Sequence, residues 1–148
     1  TRLLTELGAG HSEGVDGSTE MINKARIRDS IHKYSQGLLP DWSPQRKFDL
    51  VHTMEFLYYL DDPAGMISVI HDEWLENNGV LVAGVDHYLE HEESLTWPEH
   101  VGVHMTTMSI KQWKNAMLQA GFKNVEIHQV AAQGDFPGTL VMLGQVLD

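Results

Sequence analysis

The nine residues EGVDGSTEM, at positions 13–21, contain the pattern that decides the fold class. Residues 13–15 predict a short strand that ends at Asp16. Ser18 is a suitable N-cap for the helix that follows, because its hydroxyl can accept a hydrogen bond from the first helical turn. The apolar positions that this helix is expected to bury are Met21, Ile22 and Ala25. The stretch therefore predicts a strand, a turn and a helix in succession.

The same alternation continues along the chain. Strands are predicted over 30–35 and 48–52, and a helix is expected to begin at Asp62-Pro63, with Pro in the first turn, and to end before Gly79. The apolar face of that helix comprises Met66, Ile67, Ile70 and Trp74. Residues 80–85 form a continuous apolar run, which is typical of a parallel strand covered on both faces.

The last third of the chain begins with an irregular stretch and ends with two strands. Residues 86–108 show no clean period and predict a long loop or lid. Ser109 and Gln112 then form a capping box for a helix that Gly121 ends. The face that this helix is expected to bury comprises Ile110, Trp113, Met117 and Ala120. Strands over 125–130 and 139–143 follow.

Strands that alternate with helices indicate an α/β fold. We expect a Rossmann-like, mostly parallel sheet with helices on both faces, in which the last two strands form an antiparallel hairpin. The length of 148 residues is that of a single domain.

The amino-acid composition argues against nucleic acids and membranes as binding partners. Ten Lys and Arg residues stand against twenty-one Asp and Glu, a formal charge of -11, which disfavours nucleic acid as a partner. No apolar run is long enough to span a membrane, and the chain contains no cysteine. These features predict a cytoplasmic protein that is not embedded in a membrane.

Three segments resemble class I S-adenosylmethionine-dependent methyltransferases. They are residues 14–21, residues 48–51 together with 57–63, and the helix end at 120–122. The resemblance covers nearly the whole chain and implies S-adenosylmethionine as the cofactor and no metal. In that family a first strand and a glycine-rich loop precede the opening helix. The resemblance therefore implies that these residues are one methyltransferase domain lacking its first strand and glycine loop at a truncated N-terminus.

The resemblance also implies a set of cofactor contacts. An acidic residue at the end of the family's second strand accepts hydrogen bonds from the ribose hydroxyls, and Asp16 matches it; the alternative for Asp16 is a turn-forming residue. Ser35 or Gln36 stands where the family contacts the adenine, although either can equally be an ordinary loop residue. The cofactor-binding residues are accordingly expected to be Asp16, Gly17, Ser18, Met21, Ser35, Gln36 and Met54.

The stretch from Phe48 to Pro63 is locally similar to histamine N-methyltransferases. Glu55 stands where those enzymes have a substrate-binding glutamine, and Tyr58 and Tyr59 match paired pocket tyrosines. A carboxylate beside two aromatic rings can attract a protonated amine and contact it by cation-π interaction. A small amine is therefore the expected acceptor, with Glu55, Tyr58 and Tyr59 as its site. We expect Glu55 to face the same crevice as Asp16.

No residue is assigned as catalytic. His52 is close enough in sequence to Glu55 to serve as a base, but a histidine at a strand end is more often structural.

Three other classes of function remain open. The spacings His87/His91 and His100/His104 are compatible with a metal site, although no HExxH motif is present. A nicotinamide dehydrogenase shares the strand-Asp-helix pattern, but its glycine fingerprint is not found here. The third possibility is a non-catalytic binding or dimerisation module, because a homodimer could cover a sheet edge that lacks its neighbouring strand.

Overall fold

The computed structural model describes residues 1–147, which divide into two compact units, Thr1–Ser43 and residues 44–147. Each unit has its own sheet. Among the described residues, no helix combines the length and the apolar character needed to cross a membrane. The expectation of a single domain stays a prediction.

The first unit is a strand-helix-strand motif preceded by a short helix. Helix α1 (Arg2–Glu6) leads to strand β1 (Glu13–Asp16), helix α2 (Thr19–Arg28) and strand β2 (Lys33–Gln36). The two strands pair in parallel, with Val15 opposite Ser35. Ser18 caps α2 by accepting a hydrogen bond from the Met21 amide, so the predicted strand, turn and helix are confirmed.

The predicted inward face of α2 is partly wrong. Ile22 is buried, but Met21 is 52% exposed and Ala25 only half-buried. Within this unit α2 packs mainly against β1 and β2. Two four-residue strands cover only a narrow stripe of a helix, so the helix buries one residue where three were expected. The second strand also begins at Lys33, three residues later than predicted, and extends one residue further, to Gln36.

The second unit is a four-stranded mixed sheet with two larger helices. The strands are β3 (Phe48–Met54), β4 (Leu75–Val85), β5 (Lys123–Val130) and β6 (Thr139–Gln145), in the spatial order β3-β4-β6-β5. Strands β3 and β4 are parallel, whereas β6 runs antiparallel to both β4 and β5. The predicted α/β class, its parallel pairs and the antiparallel closing strands are therefore confirmed.

Helix α3 (Pro63–Val69) follows β3 and continues as a π-helical turn over Ile70–Trp74. All four residues of its predicted apolar face are buried. The helix ends at Trp74, earlier than predicted, because Leu75 already pairs with Phe48 as the first residue of β4. Asn78, with φ of 68°, lies at an irregularity within that strand.

Helix α5 (Ile110–Gln119) packs against α3, and both contribute to the core of this unit. Its capping box is confirmed: Ser109 accepts from the Gln112 amide, and the Gln112 side chain accepts from the Ser109 amide. Trp113, Ala116 and Met117 are buried, whereas the predicted Ile110 and Ala120 are half-buried. Gly121 ends the helix with φ of 105°.

The prediction of a long loop or lid over 86–108 is wrong over residues 92–101. This stretch contains a 3-10 turn over Glu92–Thr96 and the short helix α4 (Trp97–Val101). His87, Tyr88, His91 and Ser94 are buried. The segment is held by side-chain hydrogen bonds, such as that from the Tyr88 hydroxyl to the Gly138 carbonyl. Such bonds follow no helix or strand period, so the sequence pattern does not indicate that the segment is ordered.

Candidate functional site

The sequence-predicted cofactor residues of the first unit converge at the carboxyl ends of its two parallel strands. Asp16 is the last residue of β1, and its Oδ1 accepts a hydrogen bond from the Ser18 amide at 2.7 Å. Gln36 ends β2 and donates from Nε2 to the Gly17 carbonyl at 3.4 Å. The structure thus brings Asp16, Gly17, Ser18, Ser35 and Gln36 to one edge, as the sequence predicted.

The donor and acceptor set at this edge suits a ribose. Among residues 1–147 no hydrogen bond reaches Asp16 Oδ2, and Asp16 is exposed. One carboxylate oxygen is therefore fixed by the backbone, while the other is available to the hydroxyl of a diol. A Cβ at Gly17 would lie 2.8 Å from Leu38 Cδ2, so the chain turns beside Asp16 in a space that no larger residue fits without displacing Leu38.

In the second unit, Glu55 follows the last residue of β3. Its amide donates to the Gly84 carbonyl of the neighbouring strand at 2.9 Å, and its φ is 53°. A positive φ is uncommon for a residue other than glycine and carries local strain. The backbone thus turns sharply at the strand end with a glutamate in a conformation that glycine adopts more easily, as often occurs at functional sites.

The Glu55 carboxylate has one satisfied and one unsatisfied oxygen. The Tyr58 hydroxyl donates to Oε2 at 3.0 Å, whereas Oε1 is completely buried without a hydrogen-bond partner. Burial raises the pKa of Glu55 above its usual 4.5, and the charge of Asp86 raises it further, while the Tyr58 hydrogen bond lowers it. Desolvation therefore disfavours the charged form of this carboxyl group.

Tyr58 and Tyr59 lie side by side, with ring centroids 4.5 Å apart. Tyr58 is 3% exposed and Tyr59 42% exposed, so one ring forms a wall and the other an accessible face. Burial, together with hydrogen bonding to Tyr59 and the Glu55 charge, raises the pKa of Tyr58 far above its ordinary value, so its hydroxyl remains a donor. The structure confirms that Glu55, Tyr58 and Tyr59 cluster.

Thr106 holds the segment that carries these tyrosines. Its amide donates to the Tyr58 carbonyl at 2.7 Å, and its hydroxyl donates to the Leu60 carbonyl at 2.6 Å. Thr106 belongs to the aperiodic stretch that sequence reasoning treated as a lid. In the structure that stretch positions the tyrosine pair.

Two further predicted residues lie on β3. Met54 is 41% exposed, and its Cε would be only 2.3 Å from a Cβ at Gly84, so its side chain lies over the glycine of the neighbouring strand. An exposed thioether at a strand's carboxyl end is compatible with a cofactor contact. His52 is exposed, two residues before the strand ends, and no hydrogen bond within residues 1–147 orients it as a base.

His87 and His91, one of the two pairs considered as metal ligands, have other partners. His87 donates from Nδ1 to the Ser94 carbonyl at 3.0 Å, and its Nε2 accepts from the Thr107 hydroxyl at 2.8 Å. Burial lowers the pKa of His87, which keeps the ring neutral. His91 donates to the Asp86 carbonyl at 2.7 Å. Among residues 1–147, no three His, Asp or Glu side chains are grouped so that they could hold a metal ion.

Asp86 is a strand-end carboxylate close to Glu55 that sequence reasoning did not single out. It follows β4 directly, as Glu55 follows β3, and its Oδ1 is completely buried without a partner. The available signal was the one used for Asp16: a carboxylate at the end of an apolar strand. It was overlooked because the residues after Asp86 were treated together as a loop.

The model of a methyltransferase domain family matches residues 1–127, which is most of the chain. The chain belongs to this methyltransferase domain family. The strand-end carboxylates described above are therefore those of a methyltransferase domain. The nicotinamide dehydrogenases share the strand-Asp-helix pattern, so it is the family match that separates this chain from them.

Individual proteins agree with the family. Trans-aconitate 2-methyltransferase from Agrobacterium fabrum is 27% identical over 124 residues, which are 83% of this chain and 45% of that protein. The chain thus spans about half the length of that curated relative.

Solved structures give the same fold. A Haloferax volcanii methyltransferase, in a complex with the activator Trm112, superposes with a TM-score of 0.84 at 25% identity, covering 99% of this chain and 76% of its own. A SAM-dependent methyltransferase from Thermotoga maritima, a possible histamine N-methyltransferase, gives a TM-score of 0.73 at 20% identity over 90% of this chain and 72% of its own. These likenesses establish the Rossmann-like methyltransferase architecture.

Proposed function

We propose that this methyltransferase domain transfers a methyl group from S-adenosylmethionine to a small-molecule amine. Family membership and the SAM-dependent Thermotoga relative support the reaction class and the cofactor. The observation that carries the choice of acceptor is the Glu55 carboxylate, which accepts a hydrogen bond from Tyr58 and lies next to a tyrosine pair with one exposed ring. A carboxylate beside an accessible aromatic ring favours a ligand that is positively charged and donates hydrogen bonds.

The cofactor contacts of the first unit lie at the carboxyl ends of β1 and β2. When bound, S-adenosylmethionine supplies an electrophilic methyl group on a sulfonium. Asp16 is positioned to accept hydrogen bonds from the ribose hydroxyls through Oδ2. Ser35 and Gln36 are available for hydrogen bonds with the edge of the adenine. Gly17, Ser18 and Met21 line the turn and the first helical turn beside Asp16.

The acceptor contacts are assigned to Glu55, Tyr58 and Tyr59. Glu55 attracts the ammonium form, and the exposed ring of Tyr59 offers its face to the cation. An ammonium has no lone pair, so the acceptor must release a proton before it can attack. Glu55 then orients the neutral amine as a hydrogen-bond acceptor, while the proton passes to water at the exposed side of the pair.

Asp16→Asn tests the cofactor assignment. The amide oxygen can still accept from Ser18, so the turn is retained while the charge that binds the diol is removed. We expect affinity for S-adenosylhomocysteine, measured calorimetrically, to fall about tenfold or more, the loss expected for a charge-assisted hydrogen bond. Asp41→Asn, another exposed aspartate of the same unit, serves as the control. Equal affinities in both variants would remove Asp16 from the site.

Glu55→Gln tests the acceptor assignment. The substitution keeps the shape of the side chain and removes its charge. It should therefore weaken the binding of amine acceptors and leave the binding of S-adenosylhomocysteine unchanged. Asp49→Asn, at an exposed position of β3, is the matched control. The acceptor screen includes amines, phenols and trans-aconitate. If acids or phenols are methylated in preference to amines, the amine assignment is wrong.

A further inference from the structure

The first unit contains a threonine, a histidine and an aspartate joined in one line of hydrogen bonds. The Thr5 hydroxyl lies 2.8 Å from His32 Nε2, and His32 Nδ1 lies 2.5 Å from Asp29 Oδ2. Because a carboxylate can only accept, the contact with Asp29 places the His32 proton on Nδ1. Nε2 of the neutral ring is then an acceptor, and the Thr5 hydroxyl donates to it. In this arrangement a histidine can act as a general base toward a hydroxyl.

Asp29 is fixed as the residue that orients this histidine. Its Oδ1 accepts from the amides of Ile31 at 3.0 Å and His32 at 3.3 Å, and its Oδ2 also accepts from the Tyr34 hydroxyl at 2.8 Å. The hydrogen bond from Tyr34 lowers the pKa of Asp29 below its ordinary value, so the group stays a carboxylate. The side chains of His32 and Asp29 are only 10% and 8% exposed. The pair is therefore held in place and largely shielded from water.

Thr5 itself is exposed and lies at a cavity. An exposed hydroxyl can bond to water, so a protein partner adds little to stability at this position. Thr5 and His32 line a cavity of about 240 Å³ together with Ile31 and Lys33. This volume is enough for a small organic molecule, since one water molecule occupies about 30 Å³ in the liquid. The hydroxyl and its base thus lie where a small substrate can enter.

Lys33 provides a positive charge at the same cavity. Its ammonium group lies 3.1 Å from Glu13 Oε2, and Glu13 Oε1 lies 2.9 Å from His11 Nε2. An ammonium has three donors, so one bond to Glu13 leaves two others. A cation beside a reacting carbonyl stabilises the negative charge that develops on its oxygen during acyl transfer. The cavity therefore combines a hydroxyl, a general base and a cation.

This cluster is separate from the predicted cofactor residues of the same unit. Glu13 pairs with Lys33 at the amino ends of β1 and β2, whereas Asp16 pairs with Gln36 at their carboxyl ends. The residues assigned above to the cofactor and to the methyl acceptor include neither Thr5 nor its hydrogen-bonded partners. The cluster is thus available for a reaction of its own.

We propose that Thr5, His32 and Asp29 form a second catalytic site, which hydrolyses small carboxylic esters. Thr5 Oγ1 attacks the ester carbonyl carbon, and its proton passes to His32 Nε2. The carbonyl electron pair moves onto the oxygen beside Lys33. When the pair returns, the bond to the alcohol oxygen breaks, and that oxygen takes the proton from Nε2. Water then attacks the acyl group on Thr5 by the same route, which releases a carboxylic acid and restores the hydroxyl.

The cavity favours small esters over amides and peptides. An alkoxide leaves more readily than an amide nitrogen, so an ester makes the smaller demand on one histidine and one cation. Ile31, which is 88% exposed, lines the cavity and offers an apolar contact to the alcohol part of the ester. The volume of the cavity restricts the acyl part to a short chain.

The first test is hydrolysis of p-nitrophenyl acetate by the purified chain, followed by the absorbance of p-nitrophenolate. Thr5→Val keeps the shape of the side chain and removes the hydroxyl, so the protein-dependent rate should fall about a hundredfold or more, the scale of general-base catalysis. Thr5→Ser keeps a hydroxyl and should retain most of the rate. Thr19→Val, at another exposed threonine of this unit, should match the wild type. Equal rates in Thr5→Val and Thr19→Val would overturn the proposal.

Asp29→Asn tests the orientation of the histidine. The amide can donate to Nδ1 and so favour the tautomer whose Nε2 carries the proton and cannot act as a base. We expect the rate to fall about a hundredfold or more, with the far-ultraviolet circular dichroism spectrum unchanged. A rate equal to that of the wild type would exclude Asp29 from the site and contradict the assignment of all three residues.

A second measurement uses the wild-type chain alone and does not depend on how the variants fold. After brief incubation with p-nitrophenyl acetate, peptide mapping by mass spectrometry should find an acetyl group on the Thr5 hydroxyl, and this group should be lost by hydrolysis once the ester is removed. Acetyl groups confined to lysine or histidine side chains would show a reaction of the protein surface and overturn the proposal. S-adenosylmethionine takes no part in either measurement, so a negative result leaves the proposed methyltransferase function standing.

Discussion

The N-cap of helix α3 should decide whether replacing Gly65 by alanine raises or lowers the free energy of unfolding. Asp62 is the N-cap, and its Oδ1 accepts from the Gly65 amide at 2.8 Å. A Cβ at Gly65 would lie 2.3 Å from Asp62 Oδ2, so an alanine there displaces the capping carboxylate. In a helix without this cap, replacing glycine by alanine is expected to stabilise by about 0.5 to 1 kcal/mol.

The magnitudes follow from the two effects. Asp62→Ala removes the cap and should lower the free energy of unfolding by about 1 kcal/mol. The Asp62→Ala variant has no capping hydrogen bond left to lose. Gly65→Ala in that variant should therefore raise the free energy of unfolding by about 0.5 to 1 kcal/mol. In the wild type the same Gly65→Ala forfeits most of the cap, so its net effect is near zero or destabilising. The two substitutions should therefore couple by an interaction energy on the order of 1 kcal/mol.

The assay is urea unfolding of the four proteins of this double-mutant cycle, followed by far-ultraviolet circular dichroism and tryptophan fluorescence, to which Trp74 at the end of the π-helical turn contributes. Asp62→Asn is the matched control, since asparagine caps about as well as aspartate. Effects that add to within about 0.5 kcal/mol would show that residue 65 and the cap do not interact and would refute the reasoning.

Three further predictions follow from other parts of the structure. Gly144→Ala should destabilise the protein by about 1 to 3 kcal/mol through overpacking, because the new Cβ would lie 2.7 Å from Met117 Cε and 2.9 Å from Phe122 Cβ. The control in urea unfolding is Gly10→Ala, whose Cβ would have no atom within 4 Å. Equal effects of the two substitutions would contradict the close packing at Gly144. Ser109→Ala should cost about 1 kcal/mol of unfolding free energy by removing the capping box of α5, whereas Ser109→Asp should retain most of it; equal losses would exclude capping as the cause. The raised pKa of Glu55 means that the folded chain holds this proton more tightly than the unfolded chain, so its contribution to stability is complete below pH 4.5 and is lost as pH rises through the folded pKa. The unfolding free energy of wild type minus that of Glu55→Gln should therefore fall between pH 4 and pH 7, and a constant difference would refute the burial of this carboxylate.

Local signals predicted most elements, because each rests on a contact between residues close in sequence. Ser18 and Ser109 cap the helices that their spacing indicated, and the apolar run over 80–85 lies within a strand paired on both sides. The clustering of Glu55 with Tyr58 was also predictable, since the two residues are three positions apart at a strand end.

The remaining features depend on contacts between distant residues. The insertion of β6 between β4 and β5 reflects pairing over more than fifty residues, which no local period records. Asp86 was missed for the same reason, since its place beside Glu55 depends on the register of β3 with β4. The buried His87 and His91 read as metal ligands by spacing, but their hydrogen bonds to backbone and hydroxyl groups make them structural.

The chemical identity of the methylated product tests the central claim most directly. The chain is incubated with S-adenosylmethionine labelled with carbon-13 in its methyl group and with an equimolar mixture of phenethylamine, 2-phenylethanol and trans-aconitate. We predict a new N-methyl resonance that requires the protein and is lost in both Asp16→Asn and Glu55→Gln but kept in Asp49→Asn. An O-methyl ester resonance in place of the N-methyl signal, or no labelled product from the wild-type chain, would contradict methyl transfer to an amine at this strand-end site.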